Sequence, residues 1–415
     1  MNIGYACQTM GIPGLKLGSC TVKNASPEVL KGLILANLNT LDRMLDYNQE
    51  KGIKLFRISS DIIPFGSHPI NTSKWWEDFQ PQLKAIGEKA VEREMRLSMH
   101  PGQYTVLNSP DEGVVSRALA DLEYHCRFLD AMGLGREHKI ILHIGGIYGD
   151  KGAAIQRFIQ QYGNLDENIR RRLVIENDDH QYTIGDVLSI GKREAIPVVF
   201  DSLHHQVHLD NGCSEAEWIA ACADTWKAED GAQKLHYSQQ AAGKRSGAHS
   251  ETIDVSGFLE FYKRLPTREL DIMMEVKDKN LSAIKCINAT SAPKISRLEQ
   301  EWGLYKYLVL ERSPRIYNEI RQLLKDKAAY PVVAFYKLID EALKTQPTGG
   351  NAVNSAQHVW GYVRDFADEK TKFNFEKQLE KVSQDCSTTT LKRQLWKLAN
   401  AHGQTYLLNS YYFTL

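Results

Sequence analysis

Imidazoles and carboxylates recur in this chain at the ends of short apolar runs. The stretch Ser98–Gln103, followed by Tyr104, reads SMHPGQY. An apolar run ends on His100, and Pro101-Gly102 prevents a strand from continuing. The pattern returns in KIILHIGG with His143, RLVIEN with Glu176, PVVFDS with Asp201 and then His204, KLHYS with His236, and DIMMEVKDK with Glu275. His68 lies in the loop after KLFRISS, and His249 in the loop GKRSGAHSE. Carboxylates gathered at close range repel one another and are costly to bury unless cations compensate them. Imidazole with carboxylate suits Zn²⁺, Mn²⁺ or Fe²⁺ better than Ca²⁺ or Mg²⁺. Six imidazoles and three carboxylates are too many for one ion and predict two or three, with bridging carboxylates. Ions clustered ~3.5–4 Å apart are the usual device for in-line attack on a phosphodiester.

Some of these residues have plainer meanings. A lone strand-terminal His is more often structural than catalytic, and His68 and His249 have the loop positions of surface residues. His205 competes with its neighbour His204 for the role of partner to Asp201. Cys7 reads as a small core residue. Lys234 stands two residues before His236, so both share one strand face. An amine aimed into a cationic site is unfavourable unless its pKa falls, it snorkels out, or it is chemically modified.

The elements that must position these groups alternate. Apolar runs at NIGYAC, KLFRISS, LSMH, KIILHIGG, RLVIEN, PVVFDS, KLHYS and DIMMEVKDK predict eight strands. Between them, helical spacing predicts helices over 29–51, 75–96, 114–132, 153–162, 183–192, 216–225 and 258–265. The expected fold is α/β: a (β/α)₈ TIM barrel, with a C-terminal helical extension. All eight strands of such a barrel deliver their C-terminal ends to one face, where active sites lie. The His and acidic residues fall at or beyond those ends in seven of the eight strands; the first offers Tyr5. The expected domains are 1–290, the barrel, and 296–415, a helical region with a Pro-Gly linker at 345–350. The aromatic end YLLNSYYFTL is expected to pack on its own domain.

Composition narrows the class. The chain has 415 residues, 42 % hydrophobic and 25 % charged, as in an ordinary globular protein. Lys and Arg balance Asp and Glu at a net charge of +0, so any polyanion site must be a local patch. Seven Cys without a CxxC pair point to reduced thiols in a reducing compartment. The start MNIGYACQTM does not read as a signal peptide, and no run is long enough to span a membrane. A soluble, cytoplasmic, monomeric protein is expected.

The motifs IGYAC, RISSDIIPFGSHP, LSMHPGQYTVLNSP, LHIGG, LVIEND, VVFDSLHH, KLHYS, AHSETI and DIMMEVKDK together resemble the UV damage endonuclease family, relatives of endonuclease IV. The resemblance covers roughly residues 1–312. It implies that the family's metal ligands fall on His68, His100, His143, Glu176, Asp201, His204, His236, His249 and Glu275. It implies a carboxylated lysine at Lys234, an active-site tyrosine at Tyr5, and a damage-probing pair at Gln103 and Tyr104. Tyr5, Lys234, Glu176 and Glu275 would then be catalytic. The implied cofactor is Mn²⁺, with Zn²⁺ or another transition metal as the alternative. The implied substrate is double-stranded DNA carrying cyclobutane pyrimidine dimers or 6-4 photoproducts, cut 5′ to the lesion to start excision repair. This chain has Thr9 where some members carry an Asn. Lys244-Arg245 would contact phosphates, although such pairs are more often solvated loops.

Two other readings compete. A metal-dependent sugar isomerase on the same barrel explains Glu176, Asp201 and Glu275 but leaves His68, His249, Lys234 and the Gln103-Tyr104 pair idle. A damage sensor or metal-binding barrel without chemistry would bind without cutting.

Overall fold

The structure is a computed structural model and describes residues 1–415. Eight parallel strands close into a barrel in the order β1 to β8. They are β1 (Ile3–Ala6), β2 (Leu55–Ile58), β3 (Arg96–Met99), β4 (Lys139–His143), β5 (Leu173–Glu176), β6 (Val198–Asp201), β7 (Gln233–Tyr237) and β8 (Leu270–Met274). The ring closes where Ile3, Gly4 and Tyr5 pair with Ile272, Met273 and Met274. The strands are nearly all buried, as expected for parallel strands covered on both faces.

The helices between them are α1 (Pro27–Lys51), α2 (Gln80–Glu92), α3 (Glu112–Ala131), α4 (Lys151–Gly163), α5 (Ile184–Glu194), α6 (Glu215–Ala223), α7 (Val255–Arg264) and α8 (Asn280–Thr290). Helix α1 shows why the sequence folds this way. The Ser26 hydroxyl accepts from the Val29 N–H, Pro27 takes a first-turn position that needs no N–H, and Gly52 ends the helix at φ 70°. Leu30, Ile34, Leu38, Leu41 and Leu45 form its buried stripe. Thr183 caps α5 in a reciprocal box with Asp186.

Two helices depart from expectation. The stretch 75–96 breaks at Phe79 into a short turn, Trp75–Asp78, and α2, because Pro81 must sit at a helix start. Helix α8 escaped sequence reading, because polar Asn280, Ser282, Lys285 and Asn288 dilute its apolar spacing, and all four are buried.

Inward side chains fill the barrel in layers. Ala6, Leu55 and Met273 form one apolar cluster, and Ile141, Val174 and Val199 another. The N-terminal end is sealed by charge: Arg96 bonds Asp271 at 3.0 Å and the Asp230 carbonyl at 2.7 Å, and Lys139 meets Asp230 at 2.5 Å. Conservative packing and buried pairs at this end leave the opposite end for chemistry.

The chain divides into two compact units. One comprises residues 1–9, 14–253 and 260–284; the other comprises 10–13, 254–259 and 285–415. The second unit contains α9 (Ile295–Arg312), α10 (Pro314–Leu323), α11 (Val332–Lys344), α12 (Gly349–Trp360), α13 (Glu369–Asp385) and α14 (Thr389–Ala401). Gly349 and Gly350, expected in a linker, open α12 because Thr348 caps it through the Asn351 N–H. The core of this unit gathers Tyr307, Ala356, Phe375, Leu395 and Leu407 with Tyr412, so the aromatic chain end packs inward. No helix is long and apolar enough to cross a membrane. All seven cysteines are free thiols.

Candidate metal centre

The C-terminal strand ends bring most of the candidate ligands together. Glu176, the last residue of β5, is fully enclosed and central. Its Oε1 lies 2.8 Å from His100 Nε2 and 2.9 Å from His143 Nε2. Its Oε2 lies 2.5 Å from His236 Nδ1, and Glu275 Oε1 lies 3.1 Å from the same nitrogen. Two groups are spaced to hold a cation: His100, His143 and Glu176, and Glu176, Asp201 and His236. Within each, the ligand atoms lie within 4.8 Å of one another. Glu176 belongs to both.

Backbone contacts aim the imidazoles. His100 Nδ1 lies 3.0 Å from the Pro101 carbonyl, leaving Nε2 for Glu176. His204 Nδ1 lies 2.9 Å from the Asn177 carbonyl, and the His204 backbone N–H donates to Asp201 Oδ1 at 2.7 Å. A ring nitrogen tied to a carbonyl fixes the other as the ligand atom. Asn177 also clamps two strands: its amide donates to the Asp201 carbonyl at 3.0 Å and accepts from the Asp201 N–H at 2.9 Å. Behind β3, the Ser60 hydroxyl donates to the His100 carbonyl at 2.9 Å and is itself held by His125.

The charges are incompletely balanced by protein alone. His236 has no hydrogen-bond partner on either ring nitrogen, and Asp201 Oδ2, Glu176 Oε2, His143 Nδ1 and Lys234 Nζ are also buried without one. Burial pushes the Asp201 carboxyl up, against the pull of His204. Burial also acts to raise Glu176, but the imidazoles of His236, His143 and His100 outweigh it and hold the carboxyl well below its usual range. Burial lowers His100. His204 is pushed the other way, to about 9: burial opposes this, but Asp201 and Glu176 prevail. Orphaned nitrogens and carboxylate oxygens converging in one buried place match what divalent cations require. These residues fit such ions.

A first family model, described as UV-endonuclease UvdE, matches residues 2–302. The chain belongs to this family. A UV DNA damage endonuclease of Clostridium perfringens (strain 13 / Type A) is 36 % identical over 96 % of this chain and 97 % of its own length. One from Bacillus cereus (strain B4264) is 35 % identical over 65 % of this chain and 86 % of its own. The crystal structure of SacUVDE aligns at 38 % identity with a TM-score of 0.65, covering 69 % of this chain and 96 % of that one. The tail of this UvdE-family chain, residues 306–415, matches a second model, "Protein of unknown function (DUF1722)".

In this UvdE-family chain not every candidate reaches the cluster. His249 is half-buried, its ring 6.3 Å from that of His204, on a cleft of about 900 Å³ that His143 and Gln103 also line. His68 stands apart. Its ring is exposed, packs edge-on against Phe65, and accepts the Ile70 N–H at 3.1 Å on Nδ1. It lines a second cavity, of about 690 Å³, with Tyr104. A loop position has no strand register to aim it. Tyr5, expected as an active-site tyrosine, points its phenol away from the cluster. Gly4 and Ala6 face the barrel interior, so Tyr5 faces out. Its hydroxyl is buried between Thr9 Oγ1 at 2.6 Å and Asn48 Oδ1 at 2.8 Å, and burial pushes its pKa up. Thr9, where some family members carry an Asn, thus holds the Tyr5 hydroxyl.

Gln103 and Tyr104 are exposed, Tyr104 by 77 %. Gln103 borders the cleft that His143 and His249 line, and Tyr104 the second cavity. Gly102 lets the Tyr104 ring lie close over the turn, since a Cβ there would fall 2.5 Å from that ring and displace it.

Arg57 is a site residue that sequence reading missed. It is the inward residue of β2 level with the cluster, and its guanidinium pairs with Glu275. That pairing and His236 hold the Glu275 carboxyl down against burial. An Arg between Phe56 and Ile58 in an apolar run was the available signal. Lys234 is wholly buried in the barrel, and burial, with Arg96 and Arg57 nearby, drives its amine well below the ordinary lysine range.

Proposed function

We propose that this protein is a metal-dependent endonuclease that cuts duplex DNA on the 5′ side of UV photoproducts, cyclobutane pyrimidine dimers and 6-4 photoproducts, and so starts excision repair. The observation that carries the reading is Glu176, one carboxylate shared by two cation-spaced groups at the mouth of the barrel. His100, His143, Glu176, Asp201, His204, His236 and Glu275 would hold two or three divalent ions, Mn²⁺ being favoured and Zn²⁺ the alternative, with His249 at the cleft wall. Bound there, such ions lower the pKa of water and neutralise charge on the attacked phosphate.

The chain's own residues do the rest. Arg57 neutralises Glu275 and keeps it in place without drawing it out of the site. Asn177 sets the distance between Glu176 and Asp201. Tyr5 holds the first strand to α1 and acts as a positioning residue. Lys234 is proposed to carry a carboxylate: its neutral amine attacks CO₂, forms the N–C bond of a carbamate, and loses one proton. The product is an anion facing the cluster in place of a neutral amine, the released proton passing to solvent. His68 is proposed as a ligand only through movement of its loop. Lys244 and Arg245 border the cleft and are proposed to meet phosphates.

Gln103 and Tyr104 are proposed to enter the duplex. A photoproduct stacks poorly, so displacing its bases costs less than displacing normal ones, and that difference becomes selectivity. UV-irradiated supercoiled plasmid, incubated with and without Mn²⁺, tests the reading. Nicking that requires both damage and metal supports it; tight binding without nicking would instead assign a damage-binding barrel.

A further inference from the structure

The helical unit carries grouped aromatic rings, of which Tyr362, Phe366 and Tyr406 are exposed while Tyr307 roots the group in the core. Lys306, on α9, places Nζ 4.6 Å from the ring centre of Tyr307 and 4.8 Å from that of Tyr406. The Tyr307 hydroxyl donates to that of Tyr362 at 2.9 Å, and the rings of Tyr362 and Tyr406 lie 5.8 Å apart. Phe366 then stacks on His402 at 4.4 Å with 11° between planes. At the other end, Trp302 packs on Tyr317 at 5.3 Å, and Arg321 lies 5.7 Å from the Tyr317 ring. Tyr362 and Tyr406 are each 43 % exposed and Phe366 47 %, which is unusual for rings so closely grouped.

Charge decides what this group suits. Lys306 and Arg321 rest on ring faces, not on carboxylates. Residues 306–415 hold 16 Lys and Arg against 11 Asp and Glu, while the whole chain balances at 51 each. Partly exposed rings beside cations that no carboxylate pairs match unstacked bases on a phosphate backbone.

We propose that this group binds single-stranded nucleic acid, its rings stacking on bases and Lys306 and Arg321 meeting phosphates. The inference stands on the helical unit and needs none of the barrel's chemistry.

Fluorescence anisotropy of the full-length protein with an undamaged, labelled oligothymidylate tests it. Tyr362→Ala/Tyr406→Ala should weaken binding by about tenfold or more. Lys306→Gln/Arg321→Gln should flatten the log–log salt dependence by roughly 1.4. Both should incise a short UV-irradiated duplex as the wild type does. Tyr362 also braces Tyr307, so Phe366→Ala, which removes one exposed ring, and Tyr362→Phe, which keeps the ring, serve as controls. The first should weaken binding and the second should not. Photo-cross-linking with bromodeoxyuridine in the same oligonucleotide should label peptides containing Tyr362, Phe366 or Tyr406. Equal affinity and salt slope in every variant, or cross-links confined to barrel peptides, would overturn the proposal and leave the group to a protein partner or to none.

Discussion

His236 Nδ1 and Glu176 Oε2 lie 2.5 Å apart, yet neither hydrogen-bonds the other. Both are buried, His236 1 % and Glu176 2 % exposed in their side chains. Leaving buried polar atoms unsatisfied costs about 1–3 kcal/mol each, a cost that a cation held among several such atoms would remove. Glu176→Gln keeps the shape and removes the shared negative charge. It should lower bound metal by at least one ion per chain, read by elemental analysis, and reduce incision by about 100-fold or more. Full metal content with full activity in this variant would remove Glu176 from the centre.

Lys234 gives a second prediction. Its amine is buried, has no hydrogen-bond partner, and shares a strand face with His236. With ¹³C-bicarbonate, the wild type should show a carbamate carbon resonance that Lys234→Ala lacks. Lys234→Ala should lose most activity and recover part of it in acetate or formate, which supply the missing carboxylate. A variant that is inactive but insensitive to these acids, with no carbamate signal in the wild type, would make Lys234 a purely structural amine.

Gln103 and Tyr104, proposed to probe damage and exposed outside the cluster, should make discrimination separable from metal binding. Gln103→Ala/Tyr104→Ala should keep its metal content and cut damaged and undamaged duplexes with a preference lowered by about tenfold or more. Both side chains are exposed, so folding should not suffer. An unchanged preference would exclude the wedge.

Acid stability has a local origin at the opposite end of the barrel. The Leu97 N–H donates to His138 Nδ1 at 3.0 Å, which places the His138 proton on Nε2, 3.1 Å from Glu137 Oε1. That hydrogen bond is the main reason the Glu137 carboxyl is held at about 2, against 4.5 when free. A depressed carboxyl stabilises the fold above pH 4.5 and loses that contribution as pH falls from 4.5 towards 2. Glu137→Gln should therefore be less stable than the wild type at pH 6 in urea titrations, with the gap closing by about pH 2. A gap independent of pH would contradict this.

Much of the barrel was legible because its strands are short apolar runs stopped by a polar residue, and because period two makes register and facing one question. Thus Glu176, Asp201 and His236 could be placed on the mouth from spacing alone. His68 could not, because a loop residue has no register. Tyr5 was assigned by likeness, while the alternation of Gly4, Tyr5 and Ala6 already turned it outward; close packing of β1 on β2, where a Cβ on Gly4 would lie 1.9 Å from the Leu55 carbonyl oxygen, enforces that facing. Arg57 was passed over because a charge inside an apolar run reads as noise until its partner, 218 residues away, is seen. Helix α8 hid for the opposite reason: half of its buried residues are polar, and only tertiary partners satisfy them.

The central claim is that residues distant in sequence form one centre that cuts a phosphodiester beside a lesion. A duplex bearing a single cyclobutane dimer, labelled at the 5′ end of the damaged strand, tests this most directly when incubated with Mn²⁺-loaded full-length protein, with chelator-treated protein, and with Glu176→Gln. The account predicts one labelled product ending immediately 5′ to the dimer, only with the loaded wild type. An intact strand with loaded protein, or equal cleavage after chelation and in Glu176→Gln, would contradict it.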